Sequence, residues 1–114
     1  MNARVKRKWI AALRSGKYEQ GQGWLMNGEK YCCLGVLCDV FEKEKKQKMW
    51  IHREWGQVNV RVFMGNTHYL PPIVVKWAEL DSSNPMIGGV LAENLNDRDN
   101  RSFKYIADEI EKYL

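Results

Sequence analysis

Residues 31–40 read YCCLGVLCDV, and this is the most apolar stretch of the 114-residue chain. The apolar character continues to Phe41, with only Gly35 and Asp39 as exceptions, and a charged run begins at Glu42. A segment that is apolar nearly all round must be covered on several sides. We therefore expect a buried helix over 33–43, with the rest of the chain arranged around it.

The sequence on either side divides into amphipathic helices and short strand-like runs. Asn27-Gly28 favours a type I′ hairpin turn, because that turn needs positive φ at both central residues. Strict alternation at 57–64 predicts a half-buried strand with Val58, Val60, Val62 and Met64 on one side. Further helices are expected at 3–15, 70–78 and 103–114, and further strands at 24–26, 29–31 and 49–51. Residues 86–91 are interpreted as a short strand or an irregular crossing.

These segments predict an α+β fold, with about four helices packed on a small antiparallel sheet. The length is that of one domain, so we expect a single compact domain over residues 1–114.

Positive charge is concentrated at the amino-terminal end of the chain. The net charge is +4, made of +7 over residues 1–61 and −3 over residues 62–114. This asymmetry suits a phosphate-bearing partner, and a solvated basic helix face is the alternative. Nucleic acid is the less favoured partner, since no DNA-binding motif follows the first helix. The first 17 residues hold six basic side chains and no acidic one: Arg4, Lys6, Arg7, Lys8, Arg14 and Lys17.

The cysteines and the hydropathy pattern argue against several kinds of site. Cys32 and Cys33 are adjacent and the total of three is odd, so an ordinary internal disulfide is not expected. The spacing contains no CxxC pair, which argues against a zinc site. No stretch approaches the roughly 20 apolar residues that a membrane span needs. The sequence therefore predicts an intracellular protein with reduced thiols, no cofactor, no metal and no membrane partner.

Four blocks of the chain resemble a family of small proteins encoded in tailed-bacteriophage genomes. The resemblance implies a phage accessory protein that acts in the host bacterial cytoplasm, and it implies no particular catalytic residue. Phage proteins that blunt host defence, by sequestering nucleotide signals or by binding host proteins, make an anti-defence role an option by analogy. The blocks are KWIAALRSGKYEQG at 8–21, YCCLGVLCD at 31–39, LPP at 70–72 with Trp77-Ala78, and LND at 95–97 leading to Ser102-Phe103 and IAD at 106–108.

Two polar segments are the candidate ligand sites. Residues 17–24, KYEQGQGW, combine a cation, aromatic rings for stacking, amides for hydrogen bonding and glycines that expose backbone N–H groups. Residues 95–102, LNDRDNRS, precede a predicted helix whose first amides can bind an anion. In the alternative interpretation the aromatic rings belong to the core, and a polar side chain at 99–102 is a helix cap. The predicted ligand-binding residues are Arg14, Lys17, Tyr18, Gln20, Gln22, Trp24, Asn96, Asp97, Arg98 and Ser102.

Three functions are compatible with these features. The leading hypothesis is a phage accessory protein that binds a small nucleotide-like host ligand without turnover, because no complete catalytic set is evident. The second is an inhibitor that binds a host protein through exposed Trp50 and Trp55. The third is a cysteine hydrolase with Cys33 as nucleophile and His68 as base, although a free cysteine is more often a small core residue. A homodimer formed through the strands at 49–64 is a further expectation.

Overall fold

The computed structural model describes residues 1–55 and 58–114, without the side chain of Trp55. The fold is α+β, as predicted, with five helices in the described part of the chain. The helices are α1 Ala3–Arg14, α2 Cys33–Lys45, α3 Pro72–Ala78, α4 Ala92–Asn96 and α5 Phe103–Tyr113. The strands are β1 Glu19–Gln20, β2 Met26–Asn27, β3 Lys30–Tyr31, β4 Trp50–Trp55, β5 Val58–Phe63, β6 Met86–Ile87 and β7 Val90–Leu91. Helix α4 was not predicted, because its five residues are too few to show a period.

The main sheet has the strand order β1-β3-β2-β5-β4, and strands β6 and β7 form a separate pair. The main sheet is mixed: its neighbouring strands are antiparallel except for β1 and β3, which pair in parallel. The parallel pair arises because the chain leaves β1, forms the β2 strand and returns beside β1 as β3.

Helix α2 lies at the centre of the fold, as its composition predicts. Every residue from Cys33 to Asp39 is buried, and so is Phe41. Helix α1 packs against both α2 and α5. The indole Nε1 of Trp9, a fully buried residue of α1, donates to the Cys33 carbonyl at 2.9 Å. This bond satisfies a buried polar atom and fixes the approach of α1 to the start of α2.

The hairpin before α2 is present, with its turn one residue later than predicted. Asn27 pairs with Lys30, so the two turn residues are Gly28 and Glu29. Of these two, only Gly28 has a positive φ, at 61°. The signs of φ are those of a type II′ turn, which needs glycine at its first central position alone.

A strand is present at β5 as predicted, but its burial does not alternate: Val60 and Phe63 are buried and the other four residues are half-buried. The side that meets the core is that of Phe63. The Phe63 ring contacts Phe41 of α2 at 6.4 Å and Trp50 at 4.8 Å between centroids. Met64 does not continue the strand: its φ is 49° and its side chain is 44% exposed. Val60 is buried outside the main hydrophobic cluster. By the two-residue period of a strand, the valines therefore line the face of the sheet opposite α2.

Candidate functional site

A groove of about 590 Å³ lies between the amino-terminal helix and the central helix. Its floor is formed by small and apolar residues, Ala11 and Ala12 of α1 and Val40 of α2. Small side chains at these positions leave room between the two helices. Its remaining lining is polar or charged and consists of Lys8, Ser15, Lys17, Tyr18, Lys43 and Glu44. An apolar floor with convergent polar groups is the usual composition of a small-molecule site.

Tyr18 is held at one end of this groove by a buried carboxylate. Its hydroxyl donates to Asp39 Oδ2, and Lys43 Nζ lies 3.0 Å from both that oxygen and the Tyr18 hydroxyl. Asp39 is 5% exposed, and its Oδ1 accepts from Trp50 Nε1 at 3.2 Å. The buried charge is therefore paired and hydrogen-bonded on both oxygens, as burial of a carboxylate requires. Tyr18 is fixed in orientation as a result.

These contacts keep Lys43 charged and Tyr18 neutral. Hydrogen bonding to Tyr18, and then to Asp39, raises the pKa of Lys43 above its usual value. Partial burial, followed by the bond to Asp39, raises the pKa of Tyr18. At neutral pH the groove therefore presents an ammonium group and a neutral phenol side by side.

A second hollow of about 470 Å³ is also lined by Tyr18. Phe103 and Leu13 supply apolar surface there, and Lys104 and Arg14 supply positive charge. Arg14 also pairs with Asp108 at 2.7 Å and Glu111 at 2.9 Å on α5. The lining is completed by Gly16 and Gln20. Tyr18 is the residue that the described linings of the two hollows share.

Acidic side chains of α2 and α5 neutralise much of the basic first helix. Glu44 accepts hydrogen bonds from Arg4, from Lys8 at 2.8 Å and from Trp77 Nε1 at 2.6 Å. The bonds from Arg4 and Lys8 are the main cause of a Glu44 pKa lowered to about 2. Lys6 Nζ also donates a hydrogen bond to the backbone carbonyl of Glu111, at 3.1 Å. The hypothesis that this helix binds nucleic acid loses support, because most of its basic side chains already contact acidic side chains or a backbone carbonyl of the protein.

The two predicted ligand segments meet around Asn96, which is fully buried. Its Oδ1 accepts from Gln20 Nε2 at 2.8 Å and from the Cys33 amide at 3.2 Å. Its Nδ2 donates to the Gly21 carbonyl and to Asp97 Oδ1, both at 2.8 Å. All four hydrogen-bonding positions of this amide are therefore used inside the protein. Asn96 fastens residues 17–24 to the start of α2 and is unavailable to a ligand.

Most of the other predicted ligand residues also have structural partners. Gln22 Nε2 donates to Asn100 Oδ1 at 3.1 Å, and Trp24 stacks near His68 with ring centroids 4.6 Å apart. Ser102 Oγ accepts from the Tyr105 amide at 3.1 Å and caps α5, which confirms the capping alternative. Arg98 pairs with its neighbour Asp99 at 2.8 Å.

Of the ten predicted ligand residues, the structure therefore places Arg14, Lys17, Tyr18 and Gln20 in the lining of the two hollows. The sequence analysis missed Lys43, Val40 and Lys104 as lining residues. The signal for Lys43 was its spacing of four from Asp39, which brings the two side chains together on a helix.

Trp50, one of the two tryptophans proposed for a host-protein contact, packs against other residues of the fold. Trp50 is half-buried between Tyr31 and Phe63, with ring centroids at 6.0 Å and 4.8 Å, and it donates to Asp39. The side chain of Trp55 lies outside the described part of the structure. The inhibitor alternative therefore gains no support from Trp50.

The hydrolase alternative is disfavoured by the environment of its nucleophile. Cys33 is fully buried, and its Sγ lies 3.6 Å from the Ala92 carbonyl. Desolvation raises the thiol pKa of Cys33 well above its usual value, the opposite of an activated thiolate. His68 is exposed and stacks near Trp24. The three cysteines are instead small core residues, and Cys32 Sγ accepts from the Gly35 amide at 3.4 Å.

We expect all three thiols to resist alkylation in the folded protein. Cys33 and Cys38 have no exposed surface, Cys32 is 6% exposed, and burial raises the pKa of Cys32 to about 12. Mass spectrometry after a short exposure to iodoacetamide at pH 7.5 should find unmodified protein, and the same exposure in 8 M urea should add three labels. Rapid labelling of Cys33 in the folded state would contradict this assignment and restore the nucleophile hypothesis.

The described residues include neither a cluster of metal ligands nor a membrane-spanning helix. They contain no group of three or more histidine, cysteine or acidic side chains placed to hold a metal ion. Within the same residues, no helix has the length and apolar character needed to cross a bilayer.

Comparison with known proteins gives one match. A family model described as a domain of unknown function (DUF8296) matches residues 1–114. No curated protein and no solved structure matches the chain.

Proposed function

The chain belongs to the DUF8296 family. We propose that it binds a small nucleotide-like ligand without turnover, as a tailed-phage accessory protein in the host bacterial cytoplasm. The observation that carries the proposal is that Tyr18 lines two hollows, of about 590 and 470 Å³. Both volumes lie within the range of about 300–1,000 Å³ that is common for ligand sites.

The charge of the lining favours an anionic ligand. Lys17 borders the first hollow and Lys104 the second, and neither is in an ion pair described for this structure. The other lining cations, Lys8, Lys43 and Arg14, are already paired with acidic side chains. Glu44 is the single acidic residue in the described lining of these two hollows. Phosphate groups of a nucleotide supply the matching charge, and lysine ammonium groups bind them as flexible point charges.

The apolar part of the lining favours a planar group beside the charge. Tyr18 is fixed by Asp39 and Lys43, so its ring has a defined orientation at the boundary of the hollows. Phe103 and Leu13 offer apolar surface in the second hollow. A nucleobase fits such surfaces by stacking, and an aromatic contact of this kind contributes about 1–3 kcal/mol per base.

Binding without turnover follows from the chemistry of the same residues. Neither His52 nor His68 is among the described residues that line the two hollows. The Ser15 hydroxyl, which does line the first hollow, donates to the Ala12 carbonyl at 2.6 Å. A hydroxyl that is engaged in this way and has no adjacent base is a poor nucleophile. In the cell, the protein would act against host defence by sequestering a host nucleotide signal.

A thermal-shift screen with cyclic nucleotides and ADP-ribose compounds tests the proposal, followed by calorimetry on any compound that stabilises the protein. We expect Lys17→Glu to weaken binding by about tenfold or more, because a hydrogen bond to a charged group contributes about 1.5–3 kcal/mol. Lys17 is exposed, so the substitution leaves the core unchanged.

Lys48→Glu is the matched control, since it makes the same charge change at an exposed lysine that is not part of either lining. Equal weakening by both substitutions would indicate a general effect of net charge. The absence of any shift across the nucleotide panel would count against the proposal as a whole.

A further inference from the structure

Lys43 is held in place in the lining of the first hollow and still has a hydrogen-bond donor to offer. Its Nζ lies 3.0 Å from Asp39 Oδ2 and 3.0 Å from the Tyr18 hydroxyl. An ammonium group carries three N–H donors, and these two oxygens take two of them. Among the described residues, 1–55 and 58–114, no third acceptor for Lys43 is present. The third N–H is therefore available to a ligand in the hollow that Lys43 lines.

The carboxylate that holds Lys43 lies behind it. The side chain of Lys43 is 68% exposed, whereas that of Asp39 is 7% exposed. Asp39 is also absent from the described lining of the first hollow. A ligand in this hollow therefore contacts the ammonium group and not the carboxylate. Because the interaction between charges weakens with distance, the nearer ammonium group has the stronger effect on an anion.

The fixed position of Lys43 favours its use in binding. A lysine side chain loses rotamer freedom when it orders around a ligand, and this loss opposes binding. In Lys43 much of the loss has already occurred on folding, because its Nζ is bonded to two oxygens. Its Nζ also lies 5.1 Å from the centre of the Tyr18 ring. Lys43 is thus a preorganised donor beside an aromatic ring of fixed orientation.

The other charges around the first hollow leave an excess of positive charge. Glu44 accepts hydrogen bonds from both Arg4 and Lys8, so this group of three side chains has one positive charge more than negative. Lys17 lines the hollow and is in none of the ion pairs that the structure describes. An anion is therefore favoured here even though Lys43 is paired with a carboxylate.

We propose that Lys43 is the phosphate-binding residue of the first hollow, held in position by Asp39 and Tyr18. This inference rests on the proposed function and assigns the phosphate group of the nucleotide-like ligand to the first hollow. A phosphate oxygen accepts a hydrogen bond from the third N–H of Lys43, and Lys17 supplies a second positive charge.

Isothermal titration calorimetry with AMP, adenosine and inorganic pyrophosphate tests the assignment. AMP and adenosine share a base and differ by one phosphate group, so the ratio of their affinities measures what the phosphate contributes. In Lys43→Gln we expect the affinity for AMP to fall about tenfold, because a hydrogen bond to a charged group is lost. The affinity for adenosine should stay at the wild-type value. A general loss of structure would instead lower both affinities and leave their ratio unchanged.

Lys45→Gln is the matched control. It makes the same charge change at an exposed lysine of the same helix, two positions further along and outside the described lining of the first hollow. We expect the ratio of the AMP and adenosine affinities in this variant to equal that of the wild type. A fall in the ratio as large as that of Lys43→Gln would show a general effect of net charge and overturn the assignment.

The remaining outcomes separate this inference from the proposed function. Nucleotide binding with an AMP to adenosine ratio that Lys43→Gln leaves unchanged overturns the role of Lys43 and leaves the proposed function in place. Pyrophosphate binding that Lys43→Gln removes supports the phosphate site, even if no nucleotide binds and the proposed function fails. Pyrophosphate binding that survives Lys43→Gln at wild-type strength contradicts the assignment. If neither AMP nor pyrophosphate binds the wild type, the phosphate site is overturned.

Discussion

Replacing Gly35 with alanine is expected to destabilise the protein by about 3 kcal/mol or more, at the upper end of the cost of overpacking a core. A Cβ at this position would lie 1.8 Å from the Leu25 carbonyl oxygen and 2.7 Å from its carbon. The Leu25 backbone has little freedom to move away, because its amide donates to the Thr67 carbonyl at 2.7 Å and its carbonyl accepts from the Cys32 amide at 3.1 Å. The gain of about 1 kcal/mol in helix propensity does not offset this clash.

Urea denaturation followed by circular dichroism measures the loss. Gly16→Ala is the matched control, since nothing lies within 4 Å of a Cβ there and only the positive φ of 74° opposes it. That control should cost about 1 kcal/mol, the usual penalty for a non-glycine residue in a left-handed conformation. Equal losses at the two positions would show that the contact between α2 and Leu25 is looser than the structure indicates.

Replacing Asn96 with leucine should cost roughly 3 kcal/mol, because each buried polar group left without a partner costs about 1–3 kcal/mol. The substitution removes the acceptor for the Cys33 amide at 3.2 Å and the donor to the Gly21 carbonyl at 2.8 Å. It also releases Gln20 Nε2, which retains its second acceptor, the Arg101 carbonyl at 2.7 Å. The loop at 17–24 should loosen with the loss of this anchor.

Urea denaturation and hydrogen exchange of the Cys33 amide check this expectation. Asn94→Leu, on the same short helix, is the matched control and should change stability by no more than about 0.5 kcal/mol. Faster exchange at Cys33 in the Asn96 variant alone would confirm the role of the amide as an internal clamp. Wild-type stability in that variant would instead return Asn96 to the set of candidate ligand residues.

The sequence predicted the parts of the fold that depend on local pattern. Helix α2 was predicted because a continuous apolar run has no other place than the interior, and the structure buries it from Cys33 to Asp39. The helix cap at Ser102 was among the predicted alternatives, because a serine just before apolar residues at helical spacing is a signal for the start of a helix. Where the pattern is short, as in the five residues of α4, the same reasoning gave no prediction.

The candidate site was less accessible to sequence reasoning, because its residues act through long-range contacts. The polar groups at 17–24 and 95–102 were interpreted as free for a ligand, yet Gln20 and Asn96 are bonded to each other across 76 positions. Composition shows which groups need a hydrogen-bond partner but does not show which partner satisfies each group. Lys43 could have been added to the site only once Tyr18 was known to lie against Asp39.

The sequence by itself determined the buried central helix, the amphipathic helices around it and the basic character of the amino-terminal half, because each depends on residue types within one segment. The tertiary structure alone decided the parallel β1–β3 pair, the position of the β5 valines on the sheet face opposite α2, and the division of polar groups between the Asn96 clamp and the groove. These features depend on pairings between distant segments, and local periodicity is the same whichever neighbour a segment finds.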